Sequence, residues 1–206
     1  MNLIDQIAHA GFQKAVSLPV YLTLMTLRLY ESSVKLDILA KLLSCTPALK
    51  RLDYEYWASD QTFNFVDCES LSAALDSVKS TSEHLRFFRQ VNSPEFEVHG
   101  KCQFRDFPVL SSLHVSPVTI LGGKASIGPR IEEAITSSME ELCFVYHDLL
   151  LFWSLKEMIP FLDDFFQGDW RTRTPKLQRV YATDNQYWLD EYGKDYLRIL
   201  CEQNGL

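Results

Sequence analysis

The chain has 206 residues, of which 47% are hydrophobic and 13% aromatic, enough apolar material for a sizeable buried core. Its net charge of −7 opposes a general affinity for nucleic acid or for an acidic membrane surface, so we expect a protein partner, no nucleic acid and no membrane. Five scattered cysteines without a C-x-x-C pair are typical of a reducing compartment, which predicts an intracellular protein, cytoplasmic or nuclear.

Residues 1–20 place apolar side chains at the three- and four-residue spacing of an amphipathic helix. We interpret this segment as an N-terminal helical cap. The uncharged run from Ala15 to Leu27 that overlaps it is shorter than the roughly 20 residues that span a bilayer. It also lacks the basic start of a signal peptide, because Asp5 lies where the positive charge belongs.

A short apolar pattern, L-x-x-L-x-L with other apolar residues allowed, recurs along residues 21–184. Its first positions are residues 24, 49, 82, 110, 139 and 177. These positions lie about 31 residues apart on average, whereas regular leucine-rich repeats have about 20 to 29 residues. The pattern therefore predicts an α/β fold of the leucine-rich-repeat solenoid type, with about six irregular strand-helix repeats.

Between the predicted strands, apolar residues recur at the spacing of a helix. The positions that carry it are Leu36, Leu39 and Leu43; Leu71, Ala74 and Leu75; Ile127, Ile131 and Ile135; and Leu155, Ile159 and Leu162. Stacked units of this kind share one core and form a concave parallel sheet. An ordinary α/β domain shows the same alternation, but it has no reason to repeat L-x-x-L-x-L at each strand. Segments 57–69, 90–106 and 116–127 are rich in Ser, Asn, Gly and Pro and predict loops.

The chain closes on residues 185–206, whose apolar positions from Trp188 to Leu200 again follow helical spacing and stop near Gly205. We interpret this segment as a C-terminal helical cap. The whole chain, residues 1–206, is thus predicted to be a single leucine-rich-repeat domain with a helical cap at each end.

One junction between a predicted helix and the next strand has the sequence Leu42-Leu43-Ser44-Cys45-Thr46-Pro47-Ala48-Leu49-Lys50-Arg51-Leu52. It resembles the C-P-x-L-x-x-L junction of the leucine-rich repeats in F-box proteins, with Thr46 inserted. The later pieces Ser82-Glu83-His84-Leu85, Phe107-Pro108-Val109-Leu110-Ser111-Ser112-Leu113 and Ser138-Met139-Glu140-Glu141-Leu142 are similar to the repeats of fungal members. The resemblance covers most of residues 20–185.

In that family the repeats select a substrate, and a separate F-box segment docks on the adaptor of a cullin ubiquitin ligase. The resemblance therefore implies substrate selection and a cullin-ligase adaptor as a further partner. A recognisable F-box motif is not found, since Leu18-Pro19, the only Leu-Pro pair, runs straight into the first repeat.

Strand alternation identifies the side chains that point away from the core. They occupy two positions of the repeated L-x-x-L-x-L pattern. The third position is filled by Thr26, Arg51, His84, Ser112, Glu141 and Arg179, and the fifth by Arg28, Asp53, Arg86, His114, Cys143 and Tyr181. Arginine and aromatic residues together are typical of binding hot spots. The residues that we predict to bind a partner are Arg28, Tyr30, Arg51, Asp53, Tyr56, Arg86, His114 and Tyr181.

Motifs for catalysis are weak in this sequence. The segment Gly122-Gly123-Lys124-Ala125 lacks both the earlier glycine and the Ser/Thr of a phosphate-binding loop. His99 and Cys102 provide two metal ligands where structural zinc needs four. We therefore predict a non-enzymatic recognition module without cofactor or metal.

Two alternatives stay open. One is a small α/β enzyme with a dispersed active site, for which His84, His114 and Cys143 are the candidates. The other is a degenerate fragment without a function of its own.

Overall fold

The computed structural model describes residues 20–32, 34–57, 65–90, 97–122, 130–146, 155–184 and 191–206. The predicted N-terminal helical cap lies outside these residues except for Val20. The strands are β1 (Thr26–Ser32), β2 (Arg51–Trp57), β3 (Phe65–Asp67), β4 (His84–Gln90), β5 (Glu97–His99), β6 (Ser112–Val115), β7 (Glu141–Tyr146) and β8 (Arg179–Asp184). The helices are α1 (Leu36–Ser44), α2 (Cys68–Leu75), α3 (Pro117–Leu121), α4 (Ile131–Ala134), α5 (Leu155–Gln167), α6 (Trp170–Arg173) and α7 (Glu191–Gln203), and a 3-10 turn follows α2 (Asp76–Val78).

Six of these strands form one parallel sheet in the order β1-β2-β4-β6-β7-β8. The order in the sheet follows the order in the chain, so each strand pairs with the strand that precedes it in the sheet. Helices lie in the connections from β1 to β2, β2 to β4, β6 to β7 and β7 to β8, whereas the described part of the connection from β4 to β6 contains β5 and turns. The predicted α/β class with a parallel sheet is therefore confirmed.

A second sheet, of two short parallel strands, pairs β3 with β5. The prediction of loops is wrong here, because residues 65–67 and 97–99 are strands, and it is wrong again at helix α3. These elements have three to five residues, too few for a periodic pattern to stand out.

The leucines of the repeated pattern lie in register across the large sheet. The first column comprises Leu27, Leu52, Leu85, Leu113, Leu142 and Val180. The second comprises Leu29, Tyr54, Phe87, Val115, Phe144 and Ala182. All twelve belong to, or pack against, one apolar core. Burial of each large apolar side chain contributes about 1.5–3 kcal/mol, so this register is fixed by the core.

The helices cover the same face of the sheet. Helix α1 buries Leu39, Leu42 and Leu43 in that core, and the other helices add their own buried residues to it. Asp37 in the first turn of α1 and Lys41 in its last turn complement the helix dipole. Because the helices lie on one face, the opposite face of the sheet carries the third and fifth positions of the pattern.

Helix α7 falls within the predicted C-terminal cap and packs against β8 and α5. Its Leu197, Leu200 and Cys201 are buried, and the Cys201 thiol donates to the carbonyl of Val180 over 3.3 Å. Residues 185–190 lie outside the described residues. Among the helices that the structure describes, none combines the length and the apolar character needed to cross a bilayer.

Candidate binding surface on the sheet

The two columns predicted from alternation are both observed in register. Thr26, Arg51, His84, Ser112, Glu141 and Arg179 are successive Cα partners, and so are Arg28, Asp53, Arg86, His114, Cys143 and Tyr181. We call these twelve residues the polar face. The repeated pattern was therefore sufficient to align side chains on six strands that are up to 153 residues apart in the chain.

At one end of the polar face, Asp53 is surrounded by donors. The Nε atoms of Arg28 and Arg51 each lie 3.1 Å from its Oδ2 atom. The hydroxyl of Tyr30 donates to the same oxygen over 3.3 Å. The Asp53 side chain is 2% exposed, whereas those of Arg28 and Arg51 are 53% and 43% exposed. Asp53 thus fixes the positions of the two more exposed arginines. We call Asp53, Arg28, Arg51 and Tyr30 the Asp53 cluster.

At the other end, Glu141 is the centre of a second cluster. Its Oε1 atom lies 2.7 Å from Nε2 of His114 and accepts from the hydroxyls of Tyr181 (2.9 Å) and Ser112 (3.3 Å). Arg179 forms an ion pair with its Oε2 atom. We call these five residues the Glu141 cluster. Every one of them except Tyr181 and His114 was left out of the predicted binding residues, although all occupy third or fifth positions of the pattern.

The pKa of Glu141 reports how well this cluster stabilises its charge. Burial alone raises the pKa, but the hydrogen bonds from His114 and Tyr181, with the charge of Arg179, outweigh it and lower the pKa below its usual value. Burial and the bond to Glu141 also raise the pKa of Tyr181 well above its usual range. At neutral pH the tyrosine therefore stays protonated and donates to an ionised carboxylate.

Arg86 lies between the two clusters. It is in register with Asp53 on β2 and with His114 on β6. Its guanidinium carbon lies 5.0 Å from the centre of the Phe88 ring, a cation-π contact. Its Nε atom is buried and has no hydrogen-bond partner among the described residues. Arg86 is thus a half-buried cation that neither acidic cluster uses.

A cavity of about 280 Å³ opens at this point of the polar face. We call it the Arg86 cavity. It is lined by Arg51, Asp53, His84, Leu85, Arg86, Ser111, Ser112, His114, Glu140, Glu141 and Arg179. Its walls therefore hold three arginines and three acids, with two histidines between them.

Two of the predicted binding residues lie elsewhere than expected. The Tyr56 side chain belongs to the core side of β2, where its ring lies 6.2 Å from that of Tyr54 and packs against the apolar core. Asp53 is on the polar face, but it is nearly enclosed by its own arginines. Alternation along β2 itself places Tyr56 on the same side as Tyr54, whereas the exposure of Asp53 depends on the long side chains that fold over it.

The candidate residues of the enzyme alternative do not form an activated nucleophile. Cys143 is in register with His114, but its side chain is fully buried, and Phe88 and Val145 lie in the same small apolar cluster. Its sulfur lies 3.6 Å from the hydroxyl of Thr183. Burial raises the pKa of the Cys143 thiol, whereas a catalytic cysteine needs a lowered one.

Within the described ranges, no group of three or more His, Cys, Asp or Glu residues could hold a metal ion. The fold and the surface together define an α/β protein whose parallel sheet has one apolar face under helices, and an opposite face with the two charged clusters and the small apolar cluster of Phe88, Cys143 and Val145. Comparison with protein-family models, with curated proteins and with solved structures found no match.

Proposed function

We propose that the chain is a leucine-rich-repeat solenoid that binds a protein partner through the polar face. The observation that carries this proposal is the in-register placement of polar side chains along six parallel strands, with an arginine, histidine or tyrosine on every strand except β7. The strand order that follows the chain order also supports a stacked repeat with a concave sheet, since each unit then touches its neighbours.

The electrostatics of the polar face favour a protein over a nucleic acid. Arg28 and Arg51 are paired with Asp53, and Arg179 is paired with Glu141, so the positive charges are interspersed with negative ones. A nucleic-acid surface needs an excess of cations to neutralise phosphates. A mixed surface of preordered arginines and tyrosines suits a protein, because less side-chain freedom is lost on binding.

A steric block tests this proposal. Ser112 lies at the centre of the polar face on β6, so a Ser112→Tyr substitution adds bulk there without removing a charge. Ser77 is exposed on the 3-10 turn among the helices, and Ser77→Tyr is the matched control. We expect affinity capture from lysate of the cells that make the protein to recover the same partner with the native chain and the Ser77→Tyr variant, but not with a folded Ser112→Tyr variant. Equal recovery by all three chains, or by none, contradicts the proposal.

The resemblance to F-box proteins extends the proposal to the substrate-selecting part of a ubiquitin ligase. In such a ligase the adaptor docks apart from the repeats, so the Ser112→Tyr variant should lose the substrate and keep the adaptor. Recovery of a cullin adaptor by all three chains supports this extension. Absence of a cullin adaptor from all three captures contradicts the ligase assignment. The proposed recognition role is then tested only by whether Ser112→Tyr loses the captured partner.

A further inference from the structure

We propose that the Arg86 cavity binds a single carboxylate, an Asp or Glu side chain or the C-terminal carboxylate of the protein partner. The inference deepens the proposed function and rests on it for the source of the carboxylate. The feature behind it is a half-buried arginine in a small polar cavity, flanked on both sides by acids that already have their cations.

Arg86 has donors to offer. Its Nε atom is buried and has no acceptor among the described residues, which costs free energy in the folded chain. The Phe88 ring lies 5.0 Å from the guanidinium carbon, and this cation-π contact restrains the arginine, which also lines the cavity. The planar fork of an arginine matches the two oxygens of a carboxylate.

The neighbouring side chains do not supply that acceptor. Asp53 lies in register with Arg86, but its oxygens bind Arg28 and Arg51. Glu141 is engaged by the four donors of its own cluster, which also keep it ionised. Asp53 and Glu141 are therefore each paired with cations other than Arg86, and Glu140, the third acid of the lining, is exposed to solvent.

The walls add further donors around the same space. Arg51 uses Nε for Asp53, and its terminal amino groups belong to a side chain that is 43% exposed. His84 is in register with Arg51 on the neighbouring strand and also lines the cavity. A carboxylate that pairs with Arg86 can thus reach a second donor without moving the backbone.

The charge of the cavity selects a monoanion. Arg51, Arg86 and Arg179 are balanced in number by Asp53, Glu140 and Glu141, so the charges of the arginines and acids in the lining cancel. A carboxylate brings one negative charge, whereas a phosphate monoester brings nearly two at neutral pH. Because the charges of these arginines and acids cancel, the second negative charge of a phosphate gains no net attraction from the lining.

The test uses capped tripeptides as probes and arginine side-chain NMR as the readout. The ¹⁵N-labelled chain is titrated at constant ionic strength with acetyl-Gly-Glu-Gly-amide, with its Gln counterpart and with its phosphoserine counterpart. We expect the Glu peptide to shift the Nε–H signal of Arg86 and the amide signal of Ser112 in a saturable way. The Gln peptide should leave both signals unchanged, and the phosphoserine peptide should bind more weakly than the Glu peptide.

Variants decide whether Arg86 is the ligand. Arg86→Ala should weaken binding of the Glu peptide, followed at Ser112, by about tenfold or more, the usual order for losing a charge-assisted bidentate contact. Arg86→Lys keeps the charge, loses the planar fork and should recover only part of the affinity. Arg105→Ala, which removes an exposed arginine in a turn outside the polar face, is the control and should bind as the native chain does.

Three results overturn the inference: equal shifts with the Glu and Gln peptides, unchanged binding in a folded Arg86→Ala chain, or tighter binding of the phosphoserine peptide. The failure of this inference is separable from that of the proposed function. If Ser112→Tyr abolishes partner capture while the Glu peptide does not bind, the inferred carboxylate site is contradicted and the proposed recognition surface is supported. If Ser112→Tyr leaves partner capture intact, the proposed recognition surface is contradicted, whether or not the Glu peptide binds.

Discussion

The Nε2 atom of His114 and the Oε1 atom of Glu141 lie 2.7 Å apart across two neighbouring strands. An ionised carboxylate only accepts hydrogen bonds, so the proton between them belongs to the histidine nitrogen. This contact ties β6 to β7 on the polar face, in addition to the backbone ladder. It makes the stability of the chain depend on the charge of Glu141.

Substitution of Glu141 by Gln should reduce the free energy of unfolding by about 1–2 kcal/mol at pH 7, because charge-assisted hydrogen bonds become neutral ones. The pKa of Glu141 is lowered in the folded chain, so its stabilisation is complete above the unfolded pKa, about 4.3. That stabilisation is lost as the pH falls through the folded pKa. Urea unfolding of both chains at several pH values measures it, and the gap between them should close in acid. A gap that does not narrow as the pH falls below the unfolded pKa of about 4.3 contradicts the assignment.

The two arginines of the Asp53 cluster should show strong coupling. Arg28→Ala or Arg51→Ala alone should cost about 1 kcal/mol or less, since one half-exposed cation remains on Asp53. The double variant should cost about 3 kcal/mol or more, because a carboxylate that is 2% exposed then keeps no cation.

Asp53→Asn added to the double variant is the control for this coupling. It removes the buried charge and should restore part of the lost stability, which thermal melts of the native chain, the two single variants, the double variant and the triple variant can show. Additive losses without rescue would mean that the two arginines do not act through Asp53.

The core register and the columns of the polar face followed from the sequence, because both depend on strand alternation. Once Leu52 and Leu85 face the core, Arg51 and Arg86 must face away from it. Strand alternation does not predict which side chains on one face contact each other. Asp53 and Arg51 both face away from the core, yet one is enclosed and the other half exposed, because the enclosing arginines come from two strands.

The Glu141 cluster and helix α3 mark two other limits. Glu141 was not among the residues predicted to bind a partner, and only the pairing of β7 with β6 and β8 brings His114 and Arg179 to it. Helix α3 is five residues long, but Pro117 at its first position, after Ser116, was a usable signal of a helix start.

The core column can be tested with a matched pair of leucines. Leu52 is 2% exposed between Leu27 and Leu85, whereas Leu22 is 69% exposed. Leu52→Ala should cost about 2–5 kcal/mol by removing buried methyl groups and leaving a cavity. Leu22→Ala should change stability by no more than about 0.5 kcal/mol. Equal losses in urea unfolding would argue against the core register. Leu52→Asp, which buries an unpaired charge, should abolish cooperative folding.

Thiol reactivity separates the recognition module from the enzyme alternative. Cys143 is fully buried and its pKa is raised by that burial, so it should resist a thiol-reactive reagent at pH 7. Cys45 is only half-buried and should react first in the folded chain. Mass spectrometry of the labelled protein identifies the modified residue, and Cys45→Ser should remove the fast phase. Labelling of all five cysteines after unfolding provides the reference. Rapid modification of native Cys143 below pH 7 would mean that its thiolate is stabilised, and it would favour a catalytic role for the cysteine beside His114.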